Sequence, residues 1–153
     1  MAVDLYSIAL FVHIVGALLL FAILTVEGVG LQVGFPTARI NRVVGPLTAL
    51  AIFVPGLYMM KAQWGFAGWV AVGITTYVLI AAVGTFTGIR LMRGHVDGPT
   101  AMLSWLLRVG MALGVVFDMT VKPDLAVSVA AVLVGAAAGV ALGFATRRRV
   151  VTA

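Results

Sequence analysis

Residues 5–26 read LYSIALFVHIVGALLLFAILTV and contain no charged side chain. At about 1.5 Å of rise per residue, a helix of this length spans roughly 33 Å, slightly more than the hydrocarbon core of a bilayer at about 30 Å. Four further apolar segments occupy residues 43–60, 67–89, 101–121 and 125–145, and only the segment 101–121 contains charged residues. The pattern predicts an all-α integral membrane bundle of five transmembrane helices.

The composition supports a chain without a separate soluble domain. Of the 153 residues, 63% are hydrophobic and 10% are charged, whereas about a quarter of a typical soluble domain is charged. We therefore expect a single transmembrane domain over residues 1–153, with the lipid bilayer as its surroundings. The absence of cysteine excludes disulfides, thiolate metal sites and iron–sulfur clusters. Nucleic acid is not an expected partner, because the basic residues flank apolar segments instead of sharing one soluble face.

The distribution of basic residues predicts the orientation. Five crossings would place eight basic residues on or near one side of the membrane and only Lys61 and Lys122 on the other. Short loops rich in Lys and Arg stay in the cytoplasm, so we expect the N-terminus outside and the C-terminus inside. The eight residues on the cytoplasmic side are Arg39, Arg42, Arg90, Arg93, Arg108, Arg147, Arg148 and Arg149.

Glycine, proline and charged residues predict the connections. Residues 27–42 contain three glycines and Pro36, and we expect a long connection at the inner surface. Residues 61–66 are predicted to form a tight outer hairpin, and residues 90–100 a cytoplasmic loop. Pro46 should mark the start of the second helix, and Pro55 should kink it.

Glycines four residues apart form flat stripes that let helix backbones approach closely in a membrane. We prefer packing within the chain as their role. The alternative is a homodimer or a larger membrane complex through the terminal stripe from Gly135 to Gly143. The predicted packing glycines are Gly84, Gly88, Gly110, Gly114, Gly135, Gly139 and Gly143.

Two charged residues lie within the fourth apolar segment. Asp118 stands four residues before Lys122, the helical spacing of an ion pair, and the pair is predicted to anchor the helix at the interface. Arg108 is predicted to pair with Glu27 as a structural clamp. The alternative is an anion or lipid-headgroup site that Arg108 shares with basic loop residues, namely Arg39, Arg42, Arg90 and Arg93.

His13 is predicted to lie near the middle of the bilayer, about 12 Å from the start of its helix by helical rise. The seven-residue spacing places it on one helix face with Tyr6 and Glu27. Depth matching brings Thr75, Thr76 and Tyr77 to its level. We prefer a neutral imidazole hydrogen-bonded to Thr76 or Tyr77, with a metal or haem ligand and then a proton relay as alternatives.

A cofactor at His13 would need further ligands. Met111, predicted at similar depth, could complete a His/Met pair on haem b, or two copies of His13 could meet across a dimer. Copper is the other cofactor considered, with His13 and Met111 or Met119 as ligands.

The segment YSIALFVHIVGA at residues 6–17, which contains His13, resembles the first helix of the CopD-like group of small bacterial membrane proteins. This group includes copper-resistance protein D and the protoporphyrinogen oxidase HemJ. The stretch VPGLY at residues 54–58, the hairpin with Trp64 and Trp69, and MTVKP at residues 119–123 are similar to uncharacterised members. The resemblance implies a multi-pass protein of the bacterial inner membrane with His13 facing inward, at the position of a haem ligand in the haem-linked members. The chain differs from HemJ after Gly16 and lacks a lysine in the third helix, so we do not expect the oxidase activity.

Three functions remain open from the sequence. No hydrolytic constellation is recognisable, so we expect no catalytic residues and favour a protein that is not an enzyme. The preferred hypothesis is an accessory or assembly subunit in the membrane. The alternatives are a haem- or copper-handling protein that uses His13, and a small-solute or ion transporter with the kinked second helix along its path.

Overall fold

The computed structural model describes the backbone of residues 4–151 and the side chains of residues 4–146. Within that range all regular structure is helical, which confirms the predicted all-α class. Five helices are long and apolar enough to cross a membrane. The helices are α1 (Leu5–Val33), α2 (Ala38–Met59), α3 (Gly68–Met92), α4 (Gly98–Val121) and α5 (Leu125–Val151), and a π-helical turn over Met60–Trp64 follows α2.

The predicted long connection over residues 27–42 is wrong. The first helix continues through Glu27 to Val33, and the second begins at Ala38. Gly34 ends α1 in the left-handed conformation, with φ 73° and its N–H donating to Gly30 O. One charged residue can end an apolar segment without ending a helix, because the backbone bonds do not depend on the polarity of the side chain. Glycines, likewise, are tolerated inside a helix at a cost of about 1 kcal/mol.

Other helix ends also extend beyond the predicted apolar segments. The third helix runs to Met92 and the fourth begins at Gly98, so the connection between them is shorter than the predicted 90–100 loop. Pro46 lies inside α2 and does not mark its start. The predicted hairpin over residues 61–66 is largely the π-helical turn, which closes with Gly65 N–H donating to Met60 O at 2.7 Å.

Aspartates cap three of the helices at their N-termini. Before α1, Asp4 Oδ1 accepts a hydrogen bond from Ser7 N–H at 2.6 Å. Hydrogen bonds from the backbone and the side chain of Ser7 hold the pKa of Asp4 below its ordinary value. In the same way Asp97 caps α4 and Asp124 caps α5, each with a hydrogen bond of 2.9 Å. Each carboxylate satisfies backbone donors that have no partner within the helix.

The chain divides into two units, Met1–Ala67 and Gly68–Ala153. In the first, α1 packs against α2. In the second, α4 packs against both α3 and α5. The predicted single domain over residues 1–153 stays a prediction.

Large apolar side chains point outward in both units. Phe11 and Leu18 on α1 are 66% and 65% exposed, and Leu133 and Val134 on α5 are 63% and 69% exposed. At most a third of the most apolar part of any of the five helices is buried. Helices with so much exposed apolar surface are typical of proteins whose surroundings are lipid or apolar partners.

Candidate functional site

His13 contacts α2 at the kink predicted from Pro55. Its Nδ1 atom lies 2.8 Å from the carbonyl oxygen of Ile52. Proline has no N–H, so Pro55 cannot supply the usual helical hydrogen bond to the carbonyl of Ala51. Gly56 leaves space for the imidazole, since a Cβ atom at this position would lie 3.3 Å from both His13 Nδ1 and Cε1. The histidine therefore packs on the turn of α2 that the proline perturbs.

Gly16 brings the same face of α1 against the same turn. A Cβ atom at Gly16 would lie 2.8 Å from the carbonyl carbon of Ala51 and 3.0 Å from its oxygen. The absent side chain thus allows direct contact with backbone atoms. His13 and Gly16, three residues apart, together join α1 to the perturbed part of α2.

The acceptor determines which imidazole nitrogen carries hydrogen. A carbonyl oxygen can only accept, so the hydrogen bond requires Nδ1–H as the donor. In a neutral imidazole, Nε2 then holds the lone pair. The predicted partners were Thr76 or Tyr77, but the structure shows a backbone carbonyl of the first unit as the partner of Nδ1. No local signal in the sequence indicated Ile52, because the carbonyl that Pro55 leaves without its helical donor is that of Ala51.

The other residues predicted near His13 are divided between the two units. Tyr6 shares the first unit and accepts a hydrogen bond from Trp64 Nε1 at 3.1 Å, which joins α1 to the π-helical turn. In the second unit, Thr76 and Met111 are buried, Tyr77 is half-buried and Thr75 is exposed. A common site of these residues with His13 stays a prediction.

Arg108 is only 3% exposed and lies between α3 and α4. Its guanidinium packs on Gly84, where a Cβ atom would lie 2.8 Å from Nη1. Its Nε atom donates to Ser104 O at 3.3 Å, and the Ser104 hydroxyl is hydrogen-bonded to Thr87 at 2.9 Å. Gly84 therefore accommodates the side chain of Arg108, which supplies the three atoms nearest to its missing Cβ atom. The predicted pairing of Arg108 with half-buried Glu27 stays a prediction.

The glycines of α4 and α5 face one another. Gly110 contacts the carbonyl of Gly135, and Gly139 contacts the carbonyl of Leu106. Farther along each helix, a Cβ atom at Gly114 would lie 2.7 Å from Val132 Cα, and one at Gly143 would overlap the side chain of Leu103.

The stripe from Gly135 to Gly143 thus packs against α4 of the same chain, which is the role preferred from the sequence. The homodimer through this stripe stays a prediction, and it would require α4 to be displaced. Gly88 behaves differently from the other predicted packing glycines, since it has open space around it in the described structure.

Asp118 continues the glycine face of α4, four residues beyond Gly114. Its side chain is fully buried and faces Ser128 of α5, which is also fully buried. The predicted ion pair with Lys122 stays a prediction. Within the described residues, neither carboxylate oxygen of Asp118 has a hydrogen-bond partner.

Lys122 has a different role at the end of the same helix. It ends α4 in the left-handed conformation, with φ 53°, and its Nζ atom lies 5.8 Å from the centroid of the Trp69 ring.

No group of three or more His, Cys, Asp or Glu side chains suited to a metal ion occurs among the described residues. In its first unit, the chain offers the imidazole of His13 as a single nitrogen ligand. No protein-family model, curated protein or solved structure matches the chain.

Replacing His13 by alanine should lower the free energy of unfolding by about 1 kcal/mol, because an interhelical hydrogen bond is lost. His13→Asn is the matched variant, since the asparagine amide can place an N–H near the position of Nδ1. We expect it to retain more stability than His13→Ala in equilibrium unfolding in detergent. Equal stability of wild type and both variants would contradict the hydrogen bond to Ile52.

Proposed function

We propose that the chain is a multi-pass protein that crosses the bilayer with all five helices, with its N-terminus outside and its C-terminus in the cytoplasm. The exposed apolar surface of the helices is the observation that carries this proposal. The bilayer accommodates that surface, which would otherwise contact water at a cost of about 25 cal/mol per Å².

The positions of the basic residues support the proposed orientation. If the helices cross in sequence, the start of α2, with Arg39 and Arg42, and the end of α3, with Arg90 and Arg93, lie on the same side. Lys61 and Lys122 then lie on the opposite side. The side chains of Arg147, Arg148 and Arg149, which contributed to the predicted asymmetry, lie outside the described residues, as do the terminal residues Met1 and Ala153. Short loops rich in arginine remain in the cytoplasm.

Reporter fusions test this arrangement at each turn. We expect alkaline phosphatase to be active when fused after residues 65–67 or 122–124, and a green fluorescent protein to be fluorescent when fused after residues 34–37, 93–97 or the C-terminus. Expression in a bacterial host, with both reporters at every position, provides the internal control. Activity of the same reporter at all positions, or extraction of the chain by alkaline carbonate, would contradict the proposal.

Within the membrane, a role as a non-enzymatic accessory or assembly subunit fits the arrangement of polar groups best. Thr48 and Arg108 donate to carbonyl oxygens of their own helices, and Thr87 and Ser104 bond to each other. These groups therefore stabilise the helices and their packing. The apolar faces of α1 and α5 remain exposed and are large enough for contacts with partner helices.

Native mass measurement tests the subunit role. Extracted in mild detergent at its natural expression level, the protein should occur in a complex of defined stoichiometry that is heavier than the 16.0 kDa chain. A monomer after subtraction of bound detergent would contradict this role and would leave the membrane topology unaffected.

Haem binding through His13 is the second candidate, and one observation favours it. Donation from Nδ1 to a carbonyl oxygen is the usual arrangement of a metal-ligating histidine, because it orients the ring and leaves Nε2 as the ligand. One imidazole fits a haem iron, whose protein ligand can be a single histidine. It does not suffice for a closed copper site, which takes further soft or imidazole ligands.

Visible spectroscopy of the purified protein separates this candidate from the first. A Soret band that shifts with dithionite and is lost in His13→Ala would support haem binding. A colourless wild-type protein prepared with haem supplied during expression would contradict it. Haem binding would also support the proposal that the chain is related to the haem-linked members of the CopD-like group.

A further inference from the structure

The chain has five acidic residues, and Asp118 differs from the rest in its environment. Asp4, Asp97 and Asp124 are exposed and accept hydrogen bonds from backbone N–H groups at helix starts. Glu27 is half-buried on α1. Asp118 is 0% exposed, and among the described residues its two carboxylate oxygens accept no hydrogen bond. Its role therefore differs from helix capping.

All three helices of the second unit enclose Asp118. Gly73 of α3 leaves space beside it, since a Cβ atom at Gly73 would lie 3.8 Å from Asp118 Oδ2. The methyl group of Met119 covers the same glycine. From α5, the side chain of Ser128 faces the carboxyl group, and it too is 0% exposed. The carboxyl group thus lies in an enclosed layer at the end of the interface formed by Gly110 and Gly114.

The Ser128 hydroxyl also lacks a hydrogen-bond partner within the described structure. The two side chains face each other, although their positions fall short of hydrogen-bond geometry. An ionised carboxylate without donors is costly to bury. A protonated carboxyl group has an O–H donor, and a serine hydroxyl can accept it through a lone pair. Binding of one proton therefore removes the buried negative charge of the carboxylate and allows a hydrogen bond from Asp118 to the Ser128 hydroxyl.

We propose that Asp118 and Ser128 form a buried proton-binding site between α4 and α5, in which the protonated Asp118 carboxyl group donates a hydrogen bond to Ser128 Oγ. The site lies within the second unit, so it does not depend on the orientation of the chain in the membrane. A divalent metal ion is a poor alternative. The two carboxylate oxygens and one hydroxyl oxygen supply three ligands, whereas calcium takes about six to eight oxygen ligands.

Among the described residues, no charged or titratable group is a hydrogen-bond partner of the Asp118 carboxyl group. On α4, the Nζ atom of Lys122 lies 5.8 Å from the centroid of the Trp69 ring, and Arg108 is ten residues from Asp118, or about 15 Å along the helix. On α3, Tyr77 lies one turn from Gly73. Asp124, before α5, is exposed and occupied as a helix cap.

Carbodiimide labelling tests the proton directly, because an apolar carbodiimide reacts with protonated carboxyl groups in an apolar environment. Membranes that contain the protein are treated with dicyclohexylcarbodiimide over a range of pH, and the modified peptide is quantified by mass spectrometry. An exposed aspartate loses about a thousandfold of its protonated form between about pH 4 and 7. We expect labelling of Asp118 to fall less than tenfold over this range and to be absent in Asp118→Asn. A loss as steep as that of an exposed carboxyl group, or no label at Asp118 at any pH, would overturn the proposal.

The pH dependence of folding provides a second measurement on the purified protein in detergent. If the folded chain keeps a proton that the unfolded chain releases, stability falls as pH rises, by up to tenfold in the unfolding equilibrium constant per pH unit. Asp118→Asn should remove this component, because the amide keeps its donor at every pH. Asp124→Asn, at an exposed cap, should leave it in place. If the unfolding free energy depended on pH equally in wild type and Asp118→Asn, the proposal would be overturned. The same holds if this pH dependence changed when choline was replaced by sodium at equal ionic strength, because sodium would then compete for the site.

Discussion

Gly110→Ala should destabilise the second unit by about 2 kcal/mol or more, the upper range for overpacking of a closely packed interface. A Cβ atom at Gly110 would overlap the carbonyl oxygen of Gly135. This neighbour is a backbone atom in the middle of α5, so it cannot move aside by a change of rotamer. The helices α4 and α5 would have to separate, and the contacts at Gly114 and Gly139 would be weakened as well. Equilibrium unfolding in detergent measures the change.

Gly88→Ala is the control for this substitution. Gly88 is also a glycine within a helix, but a Cβ atom there has open space among the described residues. Alanine favours the helix by roughly 0.5–1 kcal/mol over glycine, so the control should be neutral or slightly stabilising. If Gly110→Ala and Gly88→Ala changed stability equally, the close contact of α4 and α5 would be wrong.

Gly16→Ala should produce the second large effect, a loss of about 2 kcal/mol in the first unit. The new methyl group would be placed 2.8 Å from the carbonyl carbon of Ala51 and 2.8 Å from Ile52 Cγ1. To relieve these contacts α1 must move away from α2. That movement would also lengthen the hydrogen bond from His13 to Ile52 O. We therefore expect His13→Ala to cost less in the Gly16→Ala background than in the wild type, which a double-mutant cycle measures.

Gly45→Ala is the matched control in this unit, because a Cβ atom at Gly45 meets no atom within 4 Å. It should leave the coupling to His13 essentially unchanged, whereas its own effect on stability also includes the steric contact of the new Cβ atom with the ring of Pro46, which follows it. Additive effects of Gly16→Ala and His13→Ala would show that the two residues do not hold the same turn of α2.

The five helices could be predicted from the sequence because each apolar segment matches the thickness of a bilayer. Their ends could not be predicted in the same way. Glu27 ended the apolar segment of α1, yet the helix continues to Val33. Hydropathy reports which part of a helix prefers lipid, whereas the helix itself ends where its backbone is capped, as at Gly34.

Part of the site could have been recognised from spacing alone. Gly110, Gly114 and Asp118 follow one another at intervals of four and share a face of α4. The same interval also predicts an ion pair of Asp118 with Lys122, and that pair stays a prediction. The spacing could not reveal Ser128, because this residue faces Asp118 from another helix, α5.

The all-helical class and the apolar segments of the five helices can be read from the chain alone, because helical hydrogen bonds are local and apolar side chains prefer apolar surroundings wherever the helix lies. Three contacts became visible with the packed helices: His13 bonds to Ile52 O, Gly84 accommodates Arg108, and Ser128 faces Asp118. These contacts join residues on different helices. They depend on the translation and rotation of one helix against another. Close backbone contacts at glycines determine this arrangement, and no local sequence pattern encodes it.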